Sequence, residues 1–376
     1  MRAGLLFASL ALFPLTAQAG PVAPAPDKGK PVDVVLCLDT SNSMDGLIDS
    51  AKRKLWAIVN DLAKIDPAPT LRVALFSYGN DTYDAKKGWV RKDLDLTGDL
   101  DEVYKQLYAL KTKGGTEFVA RVSRDALAEL KWTDDKDALR LMFVCGNEPA
   151  TQDKEVQLDS VAAEAKAKGV VINTIYCGPA NHPEVEGWRH FATLAGGKYA
   201  NINQDRTEAA IKTPFDDEIQ KLSVKINDTC CWYGPKGQAA AANQVAQDKN
   251  ADKAGRDVAT ERGVTKAGKL YCNAEADLID RLLTDKEFDI KKIKDEDLPE
   301  ELKKLKVEER EAYLKKKAAE RAEIQKKVAE LSAQRARYIE EERKKQPKSE
   351  ADRAFDEALR AMLKEQAAAK GMKIQN

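Results

Sequence analysis

The stretch PVDVVLCLDTSNSMD, residues 31–45, decides the fold. Residues 32–38 are apolar apart from Asp33, and residues 39–43 are polar. A run rich in Val and Leu that stops abruptly at polar residues reads as a buried central strand delivering a loop to a site. In open α/β sheets, ligands sit beyond the carboxyl ends of such strands. Asp39, Ser41 and Ser43 alternate, so a tight turn can aim one carboxylate and two hydroxyls at a common point. Hard oxygen donors at that spacing suit Mg²⁺, which keeps water and shares its coordination sphere with an incoming group. The same residue types also cap helices, and Asp45-Gly46 leads straight into one, so a plain capping loop is the competing reading.

Working outward, the chain has 376 residues, enough for one ordinary domain and a sizeable addition. Lys plus Arg and Asp plus Glu both total 62, so no net field argues for nucleic acid or an acidic membrane as partner. Residues 1–19, MRAGLLFASLALFPLTAQA, have the parts of a secretory signal peptide, with cleavage expected before Gly20 and no stable membrane span thereafter. An uncleaved anchor is the alternative; Pro14 interrupts a run already short for spanning. Residues 20–31 read as a Pro-rich linker. An exported protein is expected, periplasmic or secreted.

Of six cysteines, Cys37, Cys145 and Cys177 end apolar runs and read as buried thiols. Cys230, Cys231 and Cys272 flank a polar, Ala-rich segment that is poor in large apolar residues. A disulfide from Cys272 to Cys230 or Cys231 is expected to clamp it, three reduced thiols being the alternative. No zinc pattern is present: paired CxxC units are absent, and His182 and His190 are the only histidines.

After the first strand the pattern alternates. Helical spacing runs to about Lys64, and residues 71–76 form a second buried run. Residues 88–94 suit an edge strand, and helices follow around Val103 and Val122. Residues 139–145 and 170–177 are further buried strands, and 198–202 a last one, with helices between. Strands and helices alternating in this way predict an α/β fold, a doubly wound, mostly parallel sheet. DTSNSMDG after the first strand, GGTE before a helix and the late LAGGKYANI come in an order that resembles a von Willebrand factor type A (VWA) domain, over residues 32–228. Within that superfamily the chain resembles exported bacterial proteins with an NEPATQ loop and a helical extension. The resemblance implies a metal-ion-dependent adhesion site, or MIDAS. Asp39, Ser41 and Ser43 would supply its first loop and Thr116 its second, with Mg²⁺, or alternatively Mn²⁺ or Ca²⁺, as the ion. The family's third loop usually brings an Asp, but here that position is Gly146, followed by Asn147 and Glu148. Weak metal affinity is therefore expected, with Glu148 or Asp153 as candidate additional contacts, and an Asp at position 146 is expected to tighten the site.

Residues 229–298 read as a small helical module and residues 299–376 as a charged long helix or helical hairpin. In residues 300–345, 26 of 46 side chains are charged, yet Leu314, Ile324, Val328, Leu331 and Tyr338 keep a sparse apolar stripe of the kind that lines a coiled-coil seam. Pro347-Lys348-Ser349 breaks the helix, and a second one carries Phe355, Leu359, Met362 and Leu363 on one face. No nucleophile–histidine arrangement or complete phosphate-binding loop is present, which argues against an enzyme. The expected function is metal-dependent binding of a protein partner that offers a Glu or Asp carboxylate. A metal-independent scaffold acting through the C-terminal helices is the alternative, and a metal-dependent hydrolase a lesser one.

Overall fold

The computed structural model describes residues 29–44, 48, 58–202, 211–345 and 350–374, the side chains of 350–357 excepted. The expected signal peptide, the Pro-Lys-Ser break and most of the first helix lie outside these residues. Six strands form one sheet in the order β4-β3-β1-β5-β6-β7. They are β1 (Pro31–Asp39), β3 (Thr70–Tyr78), β4 (Val90–Thr97), β5 (Leu139–Gly146), β6 (Val171–Cys177) and β7 (Tyr199–Ile202). Only the edge pair β3–β4 is antiparallel. The expected linker ends sooner than residue 31, since Pro31 already pairs with Thr70.

β1 is apolar because both its sides are strands and both its faces are covered. Val32, Val34, Leu36 and Leu38 point into one core, and Val35 and Cys37 into the other, as a two-residue period demands. Helices α2 (Val119–Glu129), α3 (Leu158–Ala167) and α4 (Val185–Leu194) cover the second face. The first face is covered by residues 58–62, helix α1 (Leu100–Ala109) and, less foreseeably, the last helix of the chain, α11 (Glu350–Ala369). Leu359, Met362, Leu363 and Ala367 are buried in that core. Asn173 on β6 and Gln366 exchange two side-chain hydrogen bonds, at 3.1 and 2.7 Å. Beyond α11, β8 (Lys373–Ile374) pairs antiparallel with β2 (Ile65–Asp66). The second C-terminal helix thus docks on the chain's own sheet.

Between β7 and α11 the chain is helical: α5 (Asp216–Thr229), α6 (Gly234–Ala254), α7 (Arg256–Ala267), α8 (Leu278–Thr284), the short α9 (Glu300–Lys303) and α10 (Val307–Lys345). At 39 residues α10 is about 58 Å long. Its buried side recurs every seven residues, at Leu314, Arg321, Val328 and Arg335. Val328 packs on Ile219 and Leu222 of α5, with Ile324 and Leu331 partly buried beside it. Arg321 meets Asp277 at 2.7 Å and Asp280 at 2.6 Å, and Arg335 meets Asp216 at 2.9 Å. The expected seam therefore exists, but it closes within the molecule and half of it is ionic.

The expected disulfide is absent: Cys230, Cys231 and Cys272 form no disulfide in the structure, nor do the other three cysteines. The polar segment has another clamp. Arg262 pairs with Asp101 of α1 at 2.8 Å and with Asp248 at 2.6 Å, and fully buried Lys266 pairs with Asp248 at 2.9 Å. Charges that looked unable to form a core are paired inside one. Cys230 instead accepts a contact from Arg321 Nη2 at 3.3 Å, and burial pushes the Cys272 thiol up to about 11.

Candidate metal site at the switch point

β1 lies between β3, reached by the first crossover, and β5, reached by a later one. The crevice of a doubly wound sheet opens where the winding reverses, here between the carboxyl ends of β1 and β5. Asp39 ends β1 there and is fully buried. Its Oδ1 accepts a hydrogen bond from the Ser41 backbone N–H at 2.8 Å, while its Oδ2 is buried without any partner. Ser41 and Ser43 place their hydroxyls 2.8 Å apart, and the Ser43 hydroxyl donates to Asn147 Oδ1 at 3.0 Å. The first loop is thus joined to the third. Burial pushes the Asp39 carboxyl up to about 8, the Ser41 contacts pull it back, and the nearby charges of Glu117 and Glu148 push it further up.

The second loop, residues 110–118, is tied to the first through backbone. Lys113 N–H donates to Thr40 O at 3.0 Å, and buried Asn80 reaches Lys111 O at 2.9 Å. Gly115 is required for this approach, since a Cβ there would lie 2.5 Å from Gly79 O. Half-buried Thr116 follows, and then buried Glu117. Glu117 was not singled out in the sequence, though it completes the GGTE stretch; a carboxylate directly after the loop threonine was the signal available.

The third loop departs from expectation for a steric reason. A Cβ at Gly146 would lie 2.5 Å from Tyr78 Oη, 3.0 Å from Trp188 Cη2 and 3.2 Å from Asp39 Oδ2. Tyr78 is held by donating its hydroxyl to Cys145 O at 3.0 Å, and Trp188 by donating from Nε1 to Glu148 O at 2.9 Å. Two fully buried rings occupy the space where a third-loop side chain would start. An Asp at 146 therefore cannot be accommodated as expected. Asp153 is also withdrawn from the site: Arg121 holds it by two hydrogen bonds at 2.8 and 2.9 Å, and Glu155 N–H donates to it at 2.9 Å. Burial alone would raise the Asp153 carboxyl; Arg121 and the backbone donors override that and hold it below its usual range. Glu148 stays at the rim, beside an open cleft of about 350 Å³ lined by Asn147, Tyr176, His182 and Glu184.

A divalent cation fits this chemistry. The donors are a carboxylate, hydroxyls and a neutral amide, and one carboxylate oxygen is orphaned in a buried position. A contrast within β1 sharpens the point. Asp33, equally buried at the strand's other end, is met by Arg72 through two bonds at 2.9 Å and by Thr133 N–H at 2.7 Å. Asp39 has no such protein cation among the described residues. Nor is there among them a group of three or more His, Cys, Asp or Glu arranged to hold a metal, so any ion here depends on hydroxyl ligands.

The crystal structure of the SpRpn10 VWA domain is similar at 16 % identity and a TM-score of 0.37, covering 48 % of this chain and 91 % of that one. A second similar structure is proximal thread matrix protein 1 from the mussel byssus, described with a zinc-occupied MIDAS motif. It shows 12 % identity and a TM-score of 0.35, over 49 % of this chain and 44 % of that one. No curated protein matches the chain. The von Willebrand factor type A domain family model matches residues 33–210, a stretch that includes Asp39, Thr116 and Gly146.

Proposed function

We propose that the chain is an exported binding protein whose VWA domain holds a divalent cation, Mg²⁺ in the first instance, through Asp39, Ser41, Ser43 and Thr116. Through that ion it binds a Glu or Asp carboxylate of a protein partner. The observation that carries this reading is the fully buried, unpartnered Oδ2 of Asp39 at the switch point. A bound ion would supply positive charge there and an open coordination position for the partner's oxygen. The residues of the chain orient it: Ser41 and Asn147 fix the first loop, and Asn80 fixes the second loop against Thr40. Domains of this family commonly mediate protein–protein contacts, which fits a binder better than an enzyme. Export rests on the leader at residues 1–19.

The scaffold alternative is disfavoured by the packing of α10, whose apolar and arginine stripe is spent on α5, α7 and α8 of its own chain. Affinity capture from an envelope extract on the immobilised protein tests the proposal. Partners retained in Mg²⁺ should be released by a chelator and lost with Asp39→Ala. Retention indifferent to both would favour the scaffold, and divalent-dependent hydrolysis abolished by Asp39→Ala would favour an enzyme.

A further inference from the structure

The first and third loops supply a single buried carboxylate, which leaves a divalent ion under-neutralised. We infer that Glu117 is the second carboxylate of the cation site and stands in for the third-loop aspartate that Gly146 excludes. The inference rests on the metal-binding reading above and says how the site completes itself in this chain.

Four observations converge. Glu117 is buried, 8 % exposed, in the residue position directly after Thr116. It shares a wall with Asp39: a Cβ at Gly79 would lie 2.8 Å from both Asp39 Oδ1 and Glu117 Cγ. Its hydrogen-bond partner is neutral, Gln152 Nε2 at 3.4 Å, and no Lys or Arg among the described residues forms an ion pair with Glu117 or Asp39. Arg121, four residues further along the chain, pairs instead with Asp153 and Glu155. Finally, Asp39 Oδ2 is orphaned. Two buried carboxylates on one wall without a protein cation are costly unless a cation or a shared proton sits with them. Evolving a third-loop Asp is sterically closed by Tyr78 and Trp188, and the second loop offers the charge instead. Glu148, by contrast, is only partly buried and lines the adjoining cleft. One consequence is that the ion is held by two protein carboxylates before any partner arrives.

The test is calorimetric titration of the full chain with Mn²⁺ and with Mg²⁺, no partner added, alongside thermal melts with and without the ion. Glu117→Gln should weaken Mn²⁺ binding about tenfold or more, whereas Glu148→Gln should change it less than about threefold. Without metal, Glu117→Gln should melt at or above the wild type, because a buried carboxylate with no protein cation has gone; its rise in Tm on adding Mn²⁺ should be small. Wild-type affinity in Glu117→Gln overturns the inference and leaves the cation-dependent reading standing. A variant that melts lower without metal yet keeps the full Mn²⁺-induced rise also overturns it, since Glu117 would then act only in packing. A wild-type chain that binds neither ion overturns both.

Discussion

Gly146 shows how one missing side chain carries information. Sequence alone suggests a lost ligand that substitution could restore; the structure shows a position filled from outside by Tyr78 and Trp188. Gly146→Asp should therefore destabilise the protein by about 1–3 kcal/mol through overpacking, without tightening metal binding. Urea denaturation and calorimetry on the same variant check this, and unchanged stability with a gain in affinity would contradict the steric account. Asp39 offers a second measurement. Its folded-state carboxyl, at about 8, lies above the value near 4 expected in the unfolded chain. The metal-free native state thus holds the extra proton between those two values, and its stability should fall as pH rises from about 4 to about 8. Asp39→Asn should flatten that slope relative to wild type. Saturating Mg²⁺ should flatten it too, by favouring the ionised form, and a slope identical in all three would refute the assignment.

The elements were legible to different depths. Apolar runs placed β1, β3, β5 and β6 within a residue or two, since a strand buried on both faces has little freedom of composition. That Asp39, Ser41 and Ser43 would gather in one turn was legible because their spacing is local. The nearness of Glu117 to Asp39 was not, because the two meet at Gly79, which is remote from both in sequence. The seam of α10 was half legible. Leu314 and Val328 mark it, but Arg321 and Arg335 occupy the same heptad positions and look solvated until Asp277, Asp280 and Asp216 appear opposite. Within that seam, Arg321→Ala should cost about 3–5 kcal/mol, as expected when one member of a buried ion cluster is removed. Val328→Asp should cost a comparable amount by placing an unpaired carboxylate in the seam. Equilibrium unfolding measures both; changes within experimental error would mean that α10 is held only at its ends.

At the scale of the whole molecule, the sheet is finished by residues far from it in sequence. α11 places Leu359, Met362 and Leu363 on the face that also holds Leu36, Leu141 and Phe143. Truncation after Lys345 would bare that face, and at about 1.5–3 kcal/mol for each large apolar side chain the loss should approach the stability of an ordinary domain. The truncated chain should bind a hydrophobic dye and melt well below the full chain; an unchanged melting temperature would show that the sheet stands without α11. None of this docking was legible, because an amphipathic helix announces that it has a partner face but not which one.

The pairing of Asn173 with Gln366, and of Lys30 with the carbonyl of Lys370, has a consequence for the order of events during synthesis. A domain whose central strand is made first but whose last wall is made some 340 residues later cannot close as it emerges. Until the final helix is released, β6 and its neighbours keep an open apolar face, a state open to capture by chaperones. Ribosome-stalled chains ending before residue 350 should accordingly remain protease-sensitive across β5 and β6, and become resistant only when the last turn of α11 has cleared the exit tunnel.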